Sequence, residues 1–166
     1  MVSSIIMIHL IGVDHSIQHD GRRGLKSPPL DTLQLLRHEF AKYLLDTASS
    51  VGADCIAEEF NEEAVKESNA SQSFAQNAAT KLGINHIFCD PDIKMRKKLG
   101  IYGAPKDIAS KKREKYWLNS LSMSNCEETV FIVGACHLKS FDSLLRSRDF
   151  STKIQVEYYK KEHFES

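Results

Sequence analysis

Ile5-Ile6-Met7-Ile8-His9-Leu10-Ile11-Gly12-Val13-Asp14-His15 and Thr129-Val130-Phe131-Ile132-Val133-Gly134-Ala135-Cys136-His137 are built alike. Each is a run of β-branched and apolar residues that stops at a glycine and shows a histidine three positions later. Such runs suit strands buried on both faces of a parallel sheet. A glycine at the strand's end permits a tight exit and close approach to the backbone. The repeated G-x-x-H spelling, one copy near each end of the chain, predicts two halves of one site.

Between these two strands the pattern alternates. Residues 14–30 are polar and carry Gly21, Gly24, Pro28 and Pro29. They read as a long loop, of the kind that is often functional. Leu33, Leu36, Phe40, Tyr43 and Leu44 recur at helical spacing and predict a helix over 31–50, stopped by Gly52. Residues 54–58 read as a second strand. A helix is expected over 61–82, capped by Asn61 and stopped by Gly83, with Ser68–Ser73 as a candidate break. Residues 86–89 give a third strand, and Asp90-Pro91-Asp92 ends it. Residues 93–122 are expected to be helical, interrupted near Gly100–Pro105. After the fourth strand, a helix over 139–147 and an edge strand over 153–158 complete the chain.

Alternation of strands and helices predicts an α/β fold: a three-layer sandwich with a mostly parallel five-stranded sheet and helices on both faces. The 166 residues fit a single domain, 1–166. A chain of that size buries roughly two-thirds of its unfolded surface, enough for a core without staples. Formal net charge is zero, which argues against a general nucleic-acid surface. Cys55, Cys89, Cys126 and Cys136 form no C-x-x-C pair and are expected to be free thiols of a cytoplasmic protein. No apolar run nears the ~20 residues of a membrane span, so no membrane partner is expected. The apolar N-terminal run is read as a strand and not as a signal peptide.

Ligands of open α/β sheets bind at the carboxyl ends of the strands. Here the first strand leads to Asp14 and His15, the second to Glu58 and Glu59, the third to Asp90 and Asp92, the fourth to His137. Alternation points Glu58 and Glu59 to opposite faces. Glu58, nearer the strand, is the preferred site carboxylate, with Glu59 the other candidate. His15, His137 and Glu58 together form a set able to hold a divalent metal (zinc, manganese or cobalt) with positions open to water and substrate. Such a metal lowers the pKa of its water and polarises a carbonyl or phosphoryl oxygen. Without metal, the same trio suits acid–base work. Asp90 and Asp92 are candidates for substrate binding. Arg22 and Arg23, beside Lys26, could meet an anionic substrate group. His9, inside the first strand, is expected to be a satisfied core histidine. The absence of a G-x-G-x-x-G or P-loop pattern after the first strand argues against a standard dinucleotide or nucleoside-triphosphate site.

The skeleton of a G-x-x-H after the first strand, an acidic end to the second, an Arg-containing helix and a late G-x-x-H resembles the TraB/Tiki and erythromycin-esterase/ChaN-like superfamily. The matching segments are Gly12–His15, Glu58 or Glu59, Arg113-Glu114 with Trp117, and Gly134–His137. Read by itself, Lys111–Lys115 is a solvated charged helix face. The resemblance gives Arg113 a role with substrate or a developing oxyanion. It also implies hydrolysis: metal-dependent peptide cleavage in one branch, metal-independent ester hydrolysis in another. The expectation is therefore a small hydrolase of an ester, amide or phosphoester, with a small molecule or peptide as substrate. The alternative is a non-enzymatic module binding haem or an anionic small molecule.

Overall fold

The computed structural model describes residues 4–21 and 27–164. Arg22, Arg23 and Lys26 lie outside the described residues. Five strands, β1 (Met7–Val13), β2 (Cys55–Glu58), β3 (Asn85–Phe88), β4 (Glu128–Gly134) and β5 (Ser151–Val156), form one sheet in the order β3-β2-β4-β1-β5. Every pairing is parallel. Among the described residues six α-helices connect them: α1 (Leu30–Ser50), α2 (Glu62–Glu67), α3 (Phe74–Leu82), α4 (Ile93–Lys98), α5 (Lys106–Ser122) and α6 (Leu138–Ser147).

Strand alternation assigns the two layers of core. Ile11 and Val13 of β1, Ile56 of β2, and Val130 and Ile132 of β4 pack with Leu36, Phe40 and Leu44 of α1 and the alanines of α3. Ile8, Leu10, Cys55, Ala57, Phe131 and Val133 turn the other way, onto Trp117 and Leu121 of α5 and Phe141 and Leu145 of α6. The sheet is thus covered on both faces, as its continuous apolar strands require. His9 is buried in β1 but satisfied: its Nε2 meets Glu128 at 2.8 Å, and Gln155 lies 3.0 Å from its Nδ1.

Two expected helices are each split. The stretch 61–82 breaks where Asn69 takes a left-handed φ of 60° and Ser73 caps α3, its side chain accepting from Gln76 N. The stretch 93–122 breaks at Gly100 and Gly103, both at positive φ, and restarts after Pro105. Asn61 caps α2 and Gly83 (φ 67°) closes α3, as the spacing predicts.

The order β3-β2-β4-β1-β5 decides where a ligand can bind. From β1 the chain crosses to β2 through α1 on one face. From the neighbouring β4 it crosses to β5 through α6 on the other face. The crevice between the carboxyl ends of β1 and β4 is therefore the topological switch point of the sheet. Register pairs Gly12 with Val133 and Val13 with Gly134, so both G-x-x-H segments leave the sheet side by side.

The two motif glycines are required for space. A Cβ on Gly12 would sit 1.9 Å from the carbonyl oxygen of Glu157, and that of Gly12 accepts from Tyr159 N at 2.8 Å. A Cβ on Gly134 would meet the His15 imidazole at 2.9 Å and Glu59 Oε1 at 3.0 Å. The contact at Gly12 is with backbone, which cannot rotate away. Gly12→Ala is expected to destabilise the fold by about 1–3 kcal/mol, the usual range for overpacking, as read from urea unfolding midpoints.

Candidate functional site

Glu58 and Glu59 follow Ile56 and Ala57 onto opposite faces, and this separates two buried carboxylate networks. Glu58 falls on the α1/α3 side. It accepts from Ser73 Oγ at 2.5 Å and Gln18 Nε2 at 3.3 Å, and lies 2.6 Å from His86 Nε2. Glu59 falls on the α5 side, wholly buried. Its Oε1 accepts from Gly134 N at 2.8 Å, and its Oε2 from Arg113 at 2.6 Å. His15 Nε2 stands 3.4 Å from the same Oε2. The carboxylate shared by the two G-x-x-H segments is thus Glu59. Glu58, preferred from the sequence, serves a separate network under the sheet edge.

Arg113 is held from both sides. Asp90 accepts from its Nε at 3.0 Å, and the guanidinium lies over the Trp117 ring at 5.3 Å. Trp117 Nε1 donates to the same Asp90 oxygen at 2.9 Å, and Arg96 bonds the other. Asp90 is therefore a buried anchor for two arginines. Asp92 is not part of this group: it caps α4, accepting from Met95 N at 2.8 Å.

His137 leaves β4 at the same edge as His15. It is nine-tenths buried, with Nδ1 3.2 Å from Glu114 Oε2. The Trp117 ring packs edge-on against its imidazole, centroids 5.2 Å apart.

The charges follow from this arrangement. Burial opposes protonation of His15, but the Glu59 carboxylate, with help from Gln18, overrides it and holds the imidazole at about 9. Burial likewise raises Glu59, while His15 first, then Arg113 and His137, hold it at about 2. His137 is held at about 10 by the Cys136 thiol and Glu114 against burial. At neutral pH His15 is thus an imidazolium: Nδ1 is 2.7 Å from Gln18 Oε1, an acceptor, and Nε2 faces Glu59.

His15, Arg113 and Arg96 border a cavity of about 460 Å³, with Glu59 and Asp90 behind them and Phe60 and Ala64 among its lining. Asp14 and Glu67 also line it, so the lining is polar and mixed in charge and fits a strongly polar ligand. It does not suit the broad apolar face of haem. The expected metal set does not fit either. Glu58 is engaged elsewhere, both Glu59 oxygens already accept hydrogen bonds, and among the described residues no three His, Cys, Asp or Glu side chains form a metal-binding group. No helix among the described residues is long and apolar enough to cross a membrane.

Several participants carry little sequence signal. Gln18 and His86 have ordinary neighbours in the sequence. Glu114 sits inside a charge run. Arg96 had the best signal, since it lies four residues after the capping Asp92, in the first turns leaving β3. Comparison with family models, characterised proteins and solved structures returns no match to this chain.

The ion pair makes folding stability depend on pH in both directions. His15 and His137 stabilise the fold fully below their ordinary value of 6.5, and this is lost as pH rises through about 9 and 10. Glu59 stabilises it fully above its ordinary 4.5, and this is lost as pH falls towards 2. Stability from these groups should peak between pH 4.5 and 6.5. Urea unfolding of Glu59→Gln should show a shallower acid limb and lose the His15 share of the alkaline limb. Unchanged limbs would contradict the pairing.

Proposed function

We propose that the chain is a small hydrolase that acts at the β1/β4 switch point on an ester, amide or phosphoester. The observation that carries this is Glu59. One buried carboxylate joins the His15 exit of β1, the Gly134 exit of β4 and Arg113 of α5. Preorganised cations aimed at a developing negative charge are usually the largest single contribution to such catalysis. Here the His15 imidazolium and the Arg113 guanidinium face the cavity, and Glu59 and Asp90 fix their positions. Both suit the oxygen of a polarised carbonyl or phosphoryl group. Arg96 adds a third positive charge for a substrate's anionic group.

This reading is metal-independent, because the atoms that would ligate a metal already hold protein donors. Glu59 is the positioning residue, since its own acidity makes it a poor base. The resemblance to the TraB/Tiki and erythromycin-esterase/ChaN-like superfamily through Gly12–His15, Arg113 and Gly134–His137 supports the same chemistry.

Turnover of p-nitrophenyl acetate and p-nitrophenyl phosphate by the purified chain tests the proposal. Loss of one oxyanion contact typically costs about 10²–10³ in kcat. His15→Gln and Arg113→Gln are each expected to lose about a hundredfold in kcat/KM, and exhaustive chelation to change nothing. Activity abolished by chelation and restored by zinc would instead establish the metal-dependent form. Phosphate binding that His15→Gln weakens, without hydrolysis of either ester, would make the chain a binding module.

A further inference from the structure

A second cavity, of about 390 Å³, opens between α5 and α6 and shares no lining residue with the one at the switch point. Its size falls within the range of small-molecule sites, roughly 300–1,000 Å³. Helical spacing builds it. Lys111, Lys115 and Leu118 follow one another on α5 at steps of four and three residues, which puts them on one stripe. Leu144 and Arg148 stand one turn apart on α6 and its C-cap.

The floor is apolar. Leu118 is buried and Leu144 half-buried, and both pack on the core layer of Trp117 and Phe141. The rim is cationic. Lys111, Lys115 and Arg148 are exposed, and among the described residues none of the three side chains makes an ion pair or a hydrogen bond. Lys112, Arg113 and Arg146 of the same two helices by contrast hold partners: the Leu99 carbonyl, Glu59 and Asp142. One acid lines the cavity, Glu114, and it is already engaged. Its Oε2 lies 3.2 Å from His137 Nδ1 and accepts from Ser140 Oγ at 2.9 Å. The rim cations therefore have no acid of the fold to answer them.

An apolar floor ringed by unanswered cations is complementary to a molecule with an apolar body and one anionic end. We infer that the α5/α6 cavity binds a small amphipathic carboxylate of the fatty-acid type. Its chain lies over Leu118 and Leu144, and its carboxylate sits among Lys111, Lys115 and Arg148. Arginine's planar fork matches both oxygens of a carboxylate, and the long basic side chains add apolar stems beneath their charged heads. Chain burial supplies affinity, and the cations fix which end faces water. This site is independent of the hydrolase reading, since neither requires the other.

Calorimetric titration of the full chain with sodium decanoate, kept below the concentration at which it aggregates, tests the inference. Decanoate should bind saturably, one per chain. Decanol, which keeps the chain and lacks the charge, and acetate, which keeps the charge and lacks the chain, should each bind at least about tenfold more weakly. Lys115→Gln with Arg148→Gln should weaken decanoate by a similar factor; both positions are exposed, so the fold survives the change. Leu144→Trp, which fills the cavity, should abolish binding, and Lys112→Gln, just outside it, should change nothing. Absence of saturable binding overturns the inference, as does decanol binding as tightly as decanoate. So does decanoate binding that His15→Gln weakens and the double variant leaves unchanged, which would place the ligand at the switch point. An acidic Glu/Leu peptide that binds this face where decanoate does not would overturn it too, and make the face a docking site for protein.

Discussion

A carboxylate wholly withdrawn from water costs several kcal/mol unless donors replace its hydration, and Glu59 is so withdrawn. The rest of the site can be read as the answer to that requirement. One oxygen takes a backbone N–H from the end of β4, the other the guanidinium of α5, with the β1 imidazole beside it. Arg113 is in turn too buried to stand alone, so Asp90 and Trp117 close around it. Removing any one charged member would leave its neighbours with one counter-charge fewer. The network thus ties the ends of four strands to α5.

The fold prepares this meeting before any charge acts. In a parallel sheet all carboxyl ends lie on one edge. The order β3-β2-β4-β1-β5 puts the two strands with opposite crossovers next to each other. Side chains at their ends face the crevice between them. Gly134 is crowded by the other motif: a Cβ there would lie 2.9 Å from the His15 imidazole. The second glycine of the pair therefore admits the histidine of the first motif. The two repeated segments are interlocked as well as similar.

Much of this was legible in the sequence. Apolar runs such as Thr129–Val133 identify buried strands because continuous hydrophobicity is what two covered faces demand. Helix stops at Gly52 and Gly83 follow from local backbone chemistry. The α/β alternation then fixes the layers, and the strand ends fix the edge. What stayed hidden depended on distant partners. The choice between Glu58 and Glu59 turned on which face holds a cation, and Arg113, a charged-run residue by its neighbours, was singled out only by the resemblance. The break in 61–82 was legible as the polar run Ser68–Ser73, but not that the Ser73 hydroxyl would serve both the α3 cap and Glu58. Neither demand is visible from spacing alone.

Gln18 touches both carboxylate networks. Its amide nitrogen donates to Glu58 on one side of the sheet edge, and its oxygen lies against His15 Nδ1 on the other. An amide has one donor end and one acceptor end, so it has a direction. While Glu58 acts as an acceptor, the oxygen of Gln18 must point to His15, and Nδ1 of that ring must carry a hydrogen. The acceptor oxygen of Glu58 in one layer is therefore linked to the ring hydrogen on Nδ1 of a histidine in the other. The strand edge that looks like a wall between two cores acts as a one-way wire between them.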